Sequence, residues 1–466
     1  MLPFSPFMMM VDCICKQRIE KGVQFMKKKA FTWLVLLMLM AGIVLSGCSS
    51  SSSDSASEGK SGDGKIHLKF MHDWPKGSST AYYNLVEEII KDYEAKHPNV
   101  QIDVEVLNPD QYRDKLKVLA ASNELPDVGL TWSNGFAEPY ATGGQFAPLN
   151  DIIEKEFKDQ FVPGTVEAYT FNGKSYALPM EMNITYIFYN KEIFKKYGLQ
   201  EPKTFEDLKN IGKTLIKHGV IPATVGSKDG WPASMWFMYL ADRIGGPTIL
   251  TDVIQGKVKM SDPAIVKAAK EVQNLVDMGF FVKGNTAFSN DDAKGYFLNE
   301  KAAMFLTATW ELPNFTTSPD VPQEFKEKVG YFKFPLYEGG KGTDINSYVG
   351  GPGLGAFVAE NSKHKEQAKD FAAYLVKEWG KRSVEGAGIL PAMKVDTEGL
   401  DVPQMYLDVL NDINNATNIT TWFDTQASPN VSELHHDLMT ALFGKQITPE
   451  EFAKQHDDAL AEEANK

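Results

Sequence analysis

The sequence predicts an α/β protein of two lobes. Three observations carry this reading. The chain has 466 residues with 43% hydrophobic and 23% charged, an ordinary composition for a folded protein but more chain than one hydrophobic core holds, since domains beyond roughly 250–300 residues split. Alternating apolar patterns of strand period and helical period follow one another from residue 66 onward. No internal repeat or sustained heptad replaces that alternation.

The N-terminus reads as an address. Lys27, Lys28 and Lys29 precede an apolar run over residues 30–45 that ends in Leu45-Ser46-Gly47-Cys48. A basic segment, a short apolar run and small residues before a cleavage point make a secretory signal, and the run falls short of the roughly 20 residues that span a bilayer comfortably. Leu-Ser-Gly-Cys resembles a bacterial lipobox. That resemblance implies a signal region over 1–47, cleavage before Cys48, and a diacylated Cys48 that anchors the chain on the outer face of the cell membrane. An uncleaved anchor is the alternative. Residues 1–25 lie upstream of a complete signal beginning at Met26, which suggests a mis-assigned start; a long n-region would leave the mature chain the same. Residues 48–64 are Ser- and Gly-rich and are expected to act as a flexible linker.

The chain carries 48 Lys and Arg against 61 Asp and Glu, a net of −13. Removing the signal region leaves 42 against 59, a net of −17. Such acidity argues against a nucleic-acid partner. Cys13, Cys15 and Cys48 are the only cysteines, so the remainder can hold no disulfide, thiolate metal site or cysteine nucleophile.

Ile66, Leu68 and Phe70 alternate with polar residues as a strand does, and Tyr82, Leu85, Val86, Ile89, Ile90 and Tyr93 follow helical spacing until His97-Pro98. Val100, Ile102, Val104 and Val106 then form a second strand, residues 110–121 a second helix and residues 128–132 a third strand. Residues 176–179 and 184–189 read as strands. Thr204 caps a following helix with Asp207 three residues on; Leu208, Ile211 and Leu215 are its buried stripe, and Gly219 ends it. Helices are expected over 363–379, 401–413 and 431–443, with a last one opening at Thr448-Pro449.

Several chemistries lack their markers. There is no Walker A sequence, no His-Glu-x-x-His and no Gly-x-Ser-x-Gly, and the glycine run Gly350-Gly351-Pro352-Gly353-Leu354-Gly355 has the wrong spacing for a dinucleotide loop. His435 and His436 are adjacent, so on a helix they diverge and suit a surface or half-buried role better than a metal. No cofactor, metal or catalytic residue is expected.

Tryptophan beside polar residues is the chemistry that is present: Asp73-Trp74, Trp132-Ser133-Asn134, Trp231, Trp310-Glu311 and Trp422-Phe423-Asp424. A pyranose has an apolar face and a rim of hydroxyls, so a site for it needs flat aromatic platforms together with carboxylates and amides. Trp379 fits a core pattern instead, and Trp236 could serve either way.

Further segments, taken in order, resemble the extracellular solute-binding proteins of sugar-importing ABC transporters, the maltose-binding-protein-like family. They are Ala121 through Val128 (Ala-Ser-Asn-Glu-Leu-Pro-Asp-Val), Gly143 through Leu149, Asn172 through Pro179, Phe188 through Phe194, Tyr197-Gly198-Leu199, Pro202 through Phe205, Lys301 through Met304 leading to Trp310, Val349-Gly350-Gly351 and Ala368 through Phe371. The resemblance implies a periplasmic-binding-protein-like (type II) fold with a hinge and an interlobe ligand cleft. It places lobe one at 65–176 plus 331–360 and lobe two at 177–330 plus 361–466. It suggests ligand contacts at Trp74, Trp132, Glu181, Asn183, Trp231 in its loop, Trp310, Glu311 and Gly351, with Trp422 and Asp424 as a late pair; Asp127 more plausibly supports its strand end. It implies a monomer that captures a neutral sugar or oligosaccharide and delivers it to ABC permease subunits driven by a cytoplasmic ATPase.

Two rivals fit the same residues. Glu181, Glu311 and Asp424 could be the carboxylates of a secreted glycoside-active enzyme, or the same fold could hold a cation such as a polyamine. Acidic sugars fit less well, because Arg113, Arg243 and Arg382 match no expected site position. A non-binding lipoprotein leaves the Trp-carboxylate loops without a purpose.

Overall fold

The computed structural model describes residues 64–465. The signal region, Cys48 and the linker up to residue 63 lie outside the described residues. In chain order the main elements are β1 (Ile66–His72), α1 (Thr80–Lys96), β2 (Val100–Val106), α2 (Pro109–Ala121), β3 (Val128–Trp132), β4 (Ala177–Pro179), β5 (Met182–Asn190), α3 (Phe205–Lys217), β6 (Ile221–Thr224), α4 (Trp231–Gly245), α5 (Pro263–Asp277), α6 (Asn290–Leu298) and β7 (Ala302–Ala308). There follow β8 (Val329–Phe332), β9 (Ser347–Pro352), β10 (Leu354–Val358), α7 (Lys365–Arg382), α8 (Gln404–Asn414), β11 (Asn418–Thr421), α9 (Pro429–Phe443) and α10 (Pro449–Ala464).

The strands form two mixed sheets. The first has the order β2-β1-β3-β10-β4, with β1 parallel to β2 and β3 and with β10 antiparallel to its neighbours. Its core packs Leu68, Phe70, Val86, Ile89, Leu116, Leu130 and Phe357 against Phe371 and Trp379 of α7. The second has the order β11-β9-β5-β7-β6, with β8 on the far half of β5. All nine residues of β5 are buried, as a central strand covered on both faces requires.

Local signals in the sequence produce these elements. Thr204 Oγ1 accepts from the Asp207 amide at 3.1 Å and Asp207 Oδ2 accepts from the Thr204 amide at 2.9 Å, the reciprocal cap that satisfies two otherwise free donors at the start of α3. Leu208, Ile211 and Leu215 are buried beneath it, and Gly219 follows its end with φ +72°, a conformation that costs glycine little. Asp127 supports its strand end as expected, accepting from the Lys69 amide at 2.8 Å and the Ser362 hydroxyl at 2.5 Å.

Three segments run side by side where the chain crosses between lobes. The Met180 amide donates to Leu354 O (2.9 Å), Gly353 to Glu181 O (3.0 Å), and Ala392 to Met180 O (2.9 Å). This geometry corrects the division expected from sequence. β8 and β9 pair in the second sheet rather than the first, because the return crossing is at Gly353 and not near residue 331. α7 stays on the first lobe, where Phe371, Leu375 and Trp379 complete its core. Among the described residues no helix is long and apolar enough to cross a membrane.

Candidate functional site

The crossing opens into a cleft with about 1240 Å³ of empty space including its mouth, at the carboxyl ends of β1 and β3, where open α/β sheets hold their ligands. Of the ten residues expected to contact ligand, Trp74, Trp132, Glu181, Asn183, Trp231, Trp310, Glu311, Trp422 and Asp424 line it. Gly351 does not. It pairs with Asn183 through the backbone and faces Thr421, whereas Gly353 lines the cleft. A Cβ on Gly353 would lie 2.8 Å from both Glu181 Oε2 and Asn183 Nδ2, so glycine is what lets these side chains close on the hinge.

On the first lobe, Asp73 and Trp74 follow β1 directly. One face of Trp74 is spent on Trp379, stacked at 4.8 Å. Trp132 ends β3, with its ring edge-on to Phe136 at 5.2 Å and the Arg113 guanidinium 4.5 Å over its face. On the second lobe three indoles form one surface: Trp310 is edge-on to Trp231 at 5.6 Å and tilted against Trp422 at 5.6 Å. Trp231 is not in a loop; it is the first residue of α4. Trp236 and Trp379 are fully buried core.

The polar residues differ in how far they are satisfied. Asn183 Nδ2 donates to Glu181 Oε2 at 3.1 Å and Asn183 Oδ1 accepts from Thr309 at 2.8 Å, while Glu181 Oε1 and Asp73 Oδ1 are buried with no partner. Burial, reinforced by the charge on Asp73, raises the Glu181 carboxyl to about 8; burial raises Asp73 to about 7 despite Arg113. Glu311 accepts from Lys294 at 3.3 Å and Asn314 at 2.6 Å. Asp424 is buried, which alone would raise it, yet His436 at 3.0 Å and Arg113 at 3.6 Å hold its carboxyl well below the usual range.

Contacts span the cleft. Arg113 on α2 reaches Ser432 at 3.0 Å as well as Asp424, Lys117 reaches Glu433 at 2.5 Å, and Lys294 Nζ donates to the Ser78 carbonyl at 2.9 Å. Sequence reasoning missed Asp73, Arg113, Ser234 and Lys294 as lining residues. Arg113 carries no local signal: it is one cation on an amphipathic helix, and only the facing of the two lobes brings it here. Its presence corrects the expectation that no arginine belongs to the site. His435 is corrected too. It is wholly buried rather than at the surface, bonded to Ser234 at 2.7 Å and His456 at 2.8 Å. Among the described residues no group of His, Cys, Asp and Glu could hold a metal ion.

The family described as bacterial extracellular solute-binding protein matches residues 76–380. The multiple sugar-binding protein of Streptococcus mutans is 24% identical over 342 residues, covering 72% of this chain and 76% of its own. The arabinooligosaccharide-binding protein of Bacillus subtilis is 25% identical over 357 residues, covering 75% and 76%. A solved structure from work on xylan utilisation by the thermophilic bacterium Caldanaerobius polysaccharolyticus is 33% identical, with a TM-score of 0.79 over 84% of this chain and 100% of that one.

Proposed function

The chain belongs to the bacterial extracellular solute-binding protein family, and from that premise we propose that it captures a neutral oligosaccharide for an ABC importer. One observation carries the reading: indoles from both lobes face a single cleft whose rim is carboxylate and amide. Hydrogen bonds from hydroxyls to charged acceptors contribute about 1.5–3 kcal/mol each, which lets carboxylates select a neutral polyol. Asp73, Asp110, Glu181, Asp291, Glu311 and Asp424 line the cleft against Arg113 and Lys294, and both cations are already paired with carboxylates. An anionic sugar would meet uncompensated repulsion.

Ligand touching both lobes favours the shut state, and moving a 1:99 equilibrium to 99:1 takes about 5.5 kcal/mol of differential binding. The shut monomer, tethered through lipid on Cys48, then docks on permease subunits whose cytoplasmic ATPase supplies the energy. Support for the ligand class comes from relatives named for multiple sugars and arabino-oligosaccharides and from the solved relative tied to xylan. A thermal-shift screen of mature protein against xylotriose, arabinotriose, chitotriose and maltotriose tests it. A binder at a hundred times its Kd stabilises by about 2.7 kcal/mol; no shift with any saccharide overturns the proposal.

The unpartnered oxygens of Asp73 and Glu181 also suit a cationic guest. Calorimetry with spermidine separates that reading from the saccharide one. The glycosidase reading requires product release from the same oligosaccharides, lost on Glu181→Gln or Glu311→Gln.

A further inference from the structure

A chain of buried hydrogen bonds runs from the last helix to the cleft. His456 Nδ1 lies 2.8 Å from the Phe452 carbonyl, His456 Nε2 lies 2.8 Å from His435 Nδ1, and His435 Nε2 lies 2.7 Å from Ser234 Oγ. Both rings and Ser234 are buried, and Ser234 lines the cleft. A carbonyl only accepts, so His456 Nδ1 carries a proton. In a neutral ring Nε2 is then a lone pair, so the proton between the two histidines sits on His435 Nδ1. His435 Nε2 is in turn a lone pair and accepts from the Ser234 hydroxyl.

Both rings are neutral near pH 7. Burial among Phe237, Phe423 and Phe452 lowers His435 well below its ordinary value, with His456 and His436 adding to the effect and Asp424 opposing it. Burial lowers His456 to about 4, against the Phe452 carbonyl and Asp457. Ser234 therefore spends its only hydrogen inward and turns lone pairs alone toward the cleft.

We propose that Ser234 is a specificity-determining ligand contact, an acceptor fixed in polarity by His435 and His456, that selects a hydroxyl or amide donor on the bound saccharide. The proposal rests on the oligosaccharide reading above. His435 and His456 are positioning residues, acting on the ligand only through Ser234.

Two measurements on the mature protein test it. In ¹⁵N-histidine-labelled protein at pH 7, long-range ¹H–¹⁵N spectra place the proton of both rings on Nδ1; a proton on His435 Nε2 overturns the relay. Calorimetry then compares wild type and Ser234→Ala against xylotriose and its monodeoxyfluoro derivatives, in which fluorine accepts but cannot donate. Wild type loses about tenfold in affinity for one derivative, and Ser234→Ala, already weaker for xylotriose by a similar factor, does not discriminate against that derivative. Equal discrimination by both proteins overturns the Ser234 contact while leaving the oligosaccharide reading intact. No heat from xylotriose, chitotriose or maltotriose with wild type sinks the oligosaccharide reading itself and this contact with it.

Discussion

Arg113 on one lobe stands 3.6 Å from Asp424 on the other, and the same guanidinium covers the face of Trp132. One side chain thus ties an aromatic platform of the first lobe to a carboxylate of the second. Both partners are largely shielded, where removing one member of an ion pair costs several kcal/mol because the other is left alone. Arg113→Ala is expected to weaken oligosaccharide affinity at least tenfold and to widen the ligand-free molecule in small-angle scattering. Arg113→Lys keeps the charge but not the planar stack, and falls between. Wild-type affinity in the alanine variant would show that the pair plays no part in closure.

Asp73 and Glu181 set a pH dependence of stability. Their folded carboxyls are raised to about 7 and about 8 from ordinary values near 4. The folded state therefore holds more protons than the unfolded chain between those limits, and ligand-free stability falls as pH rises through that window. Urea unfolding from pH 4.5 to 8.5 measures the slope. Asp73→Asn and Glu181→Gln should each flatten it; an unchanged slope in the double variant would place the effect elsewhere.

Trp310 sits between Trp231 and Trp422 and packs against the cores of both lobes. Trp310→Ala removes the middle of the indole surface, a loss of about 2 kcal/mol or more in binding, on the order of thirtyfold in Kd. Trp236→Ala, a core change, should lower the melting temperature instead. Paired melting and titration curves separate the two effects.

Cys48→Ala removes the proposed acyl acceptor. In a Gram-positive host the variant is expected in the medium and the wild type in the membrane fraction, with mass spectrometry of the mature N-terminus reporting the diacylglycerol. Equal retention of both in membranes would rule out the lipid anchor.

Elements with local signals were legible in the sequence. β1 and β2 of the first sheet alternate, and α3 carries both its cap and its stripe. α4 was not legible, because residues 232–244 are all buried and a helix buried on every side shows no amphipathic period to detect. Trp310 with Glu311 and Trp422 with Asp424 were visible because aromatic and acidic residues sit beside one another in sequence. Arg113, Ser234 and Lys294 were not, because each sits alone on a helix and gains its role only from what a distant segment places opposite it. The lobe boundaries failed similarly: nothing local distinguishes a strand that crosses at Gly353 from one that crosses earlier.

The placement of α7 bears on how the molecule is made. The first sheet cannot be covered until Phe371, Leu375 and Trp379 arrive, which is more than three hundred residues after Ile66 opens it. A growing chain therefore lacks the means to finish the first lobe early. That lobe's sheet stays uncovered until then, which suits a polypeptide that the expected signal region would thread through a secretion pore before it locks into shape.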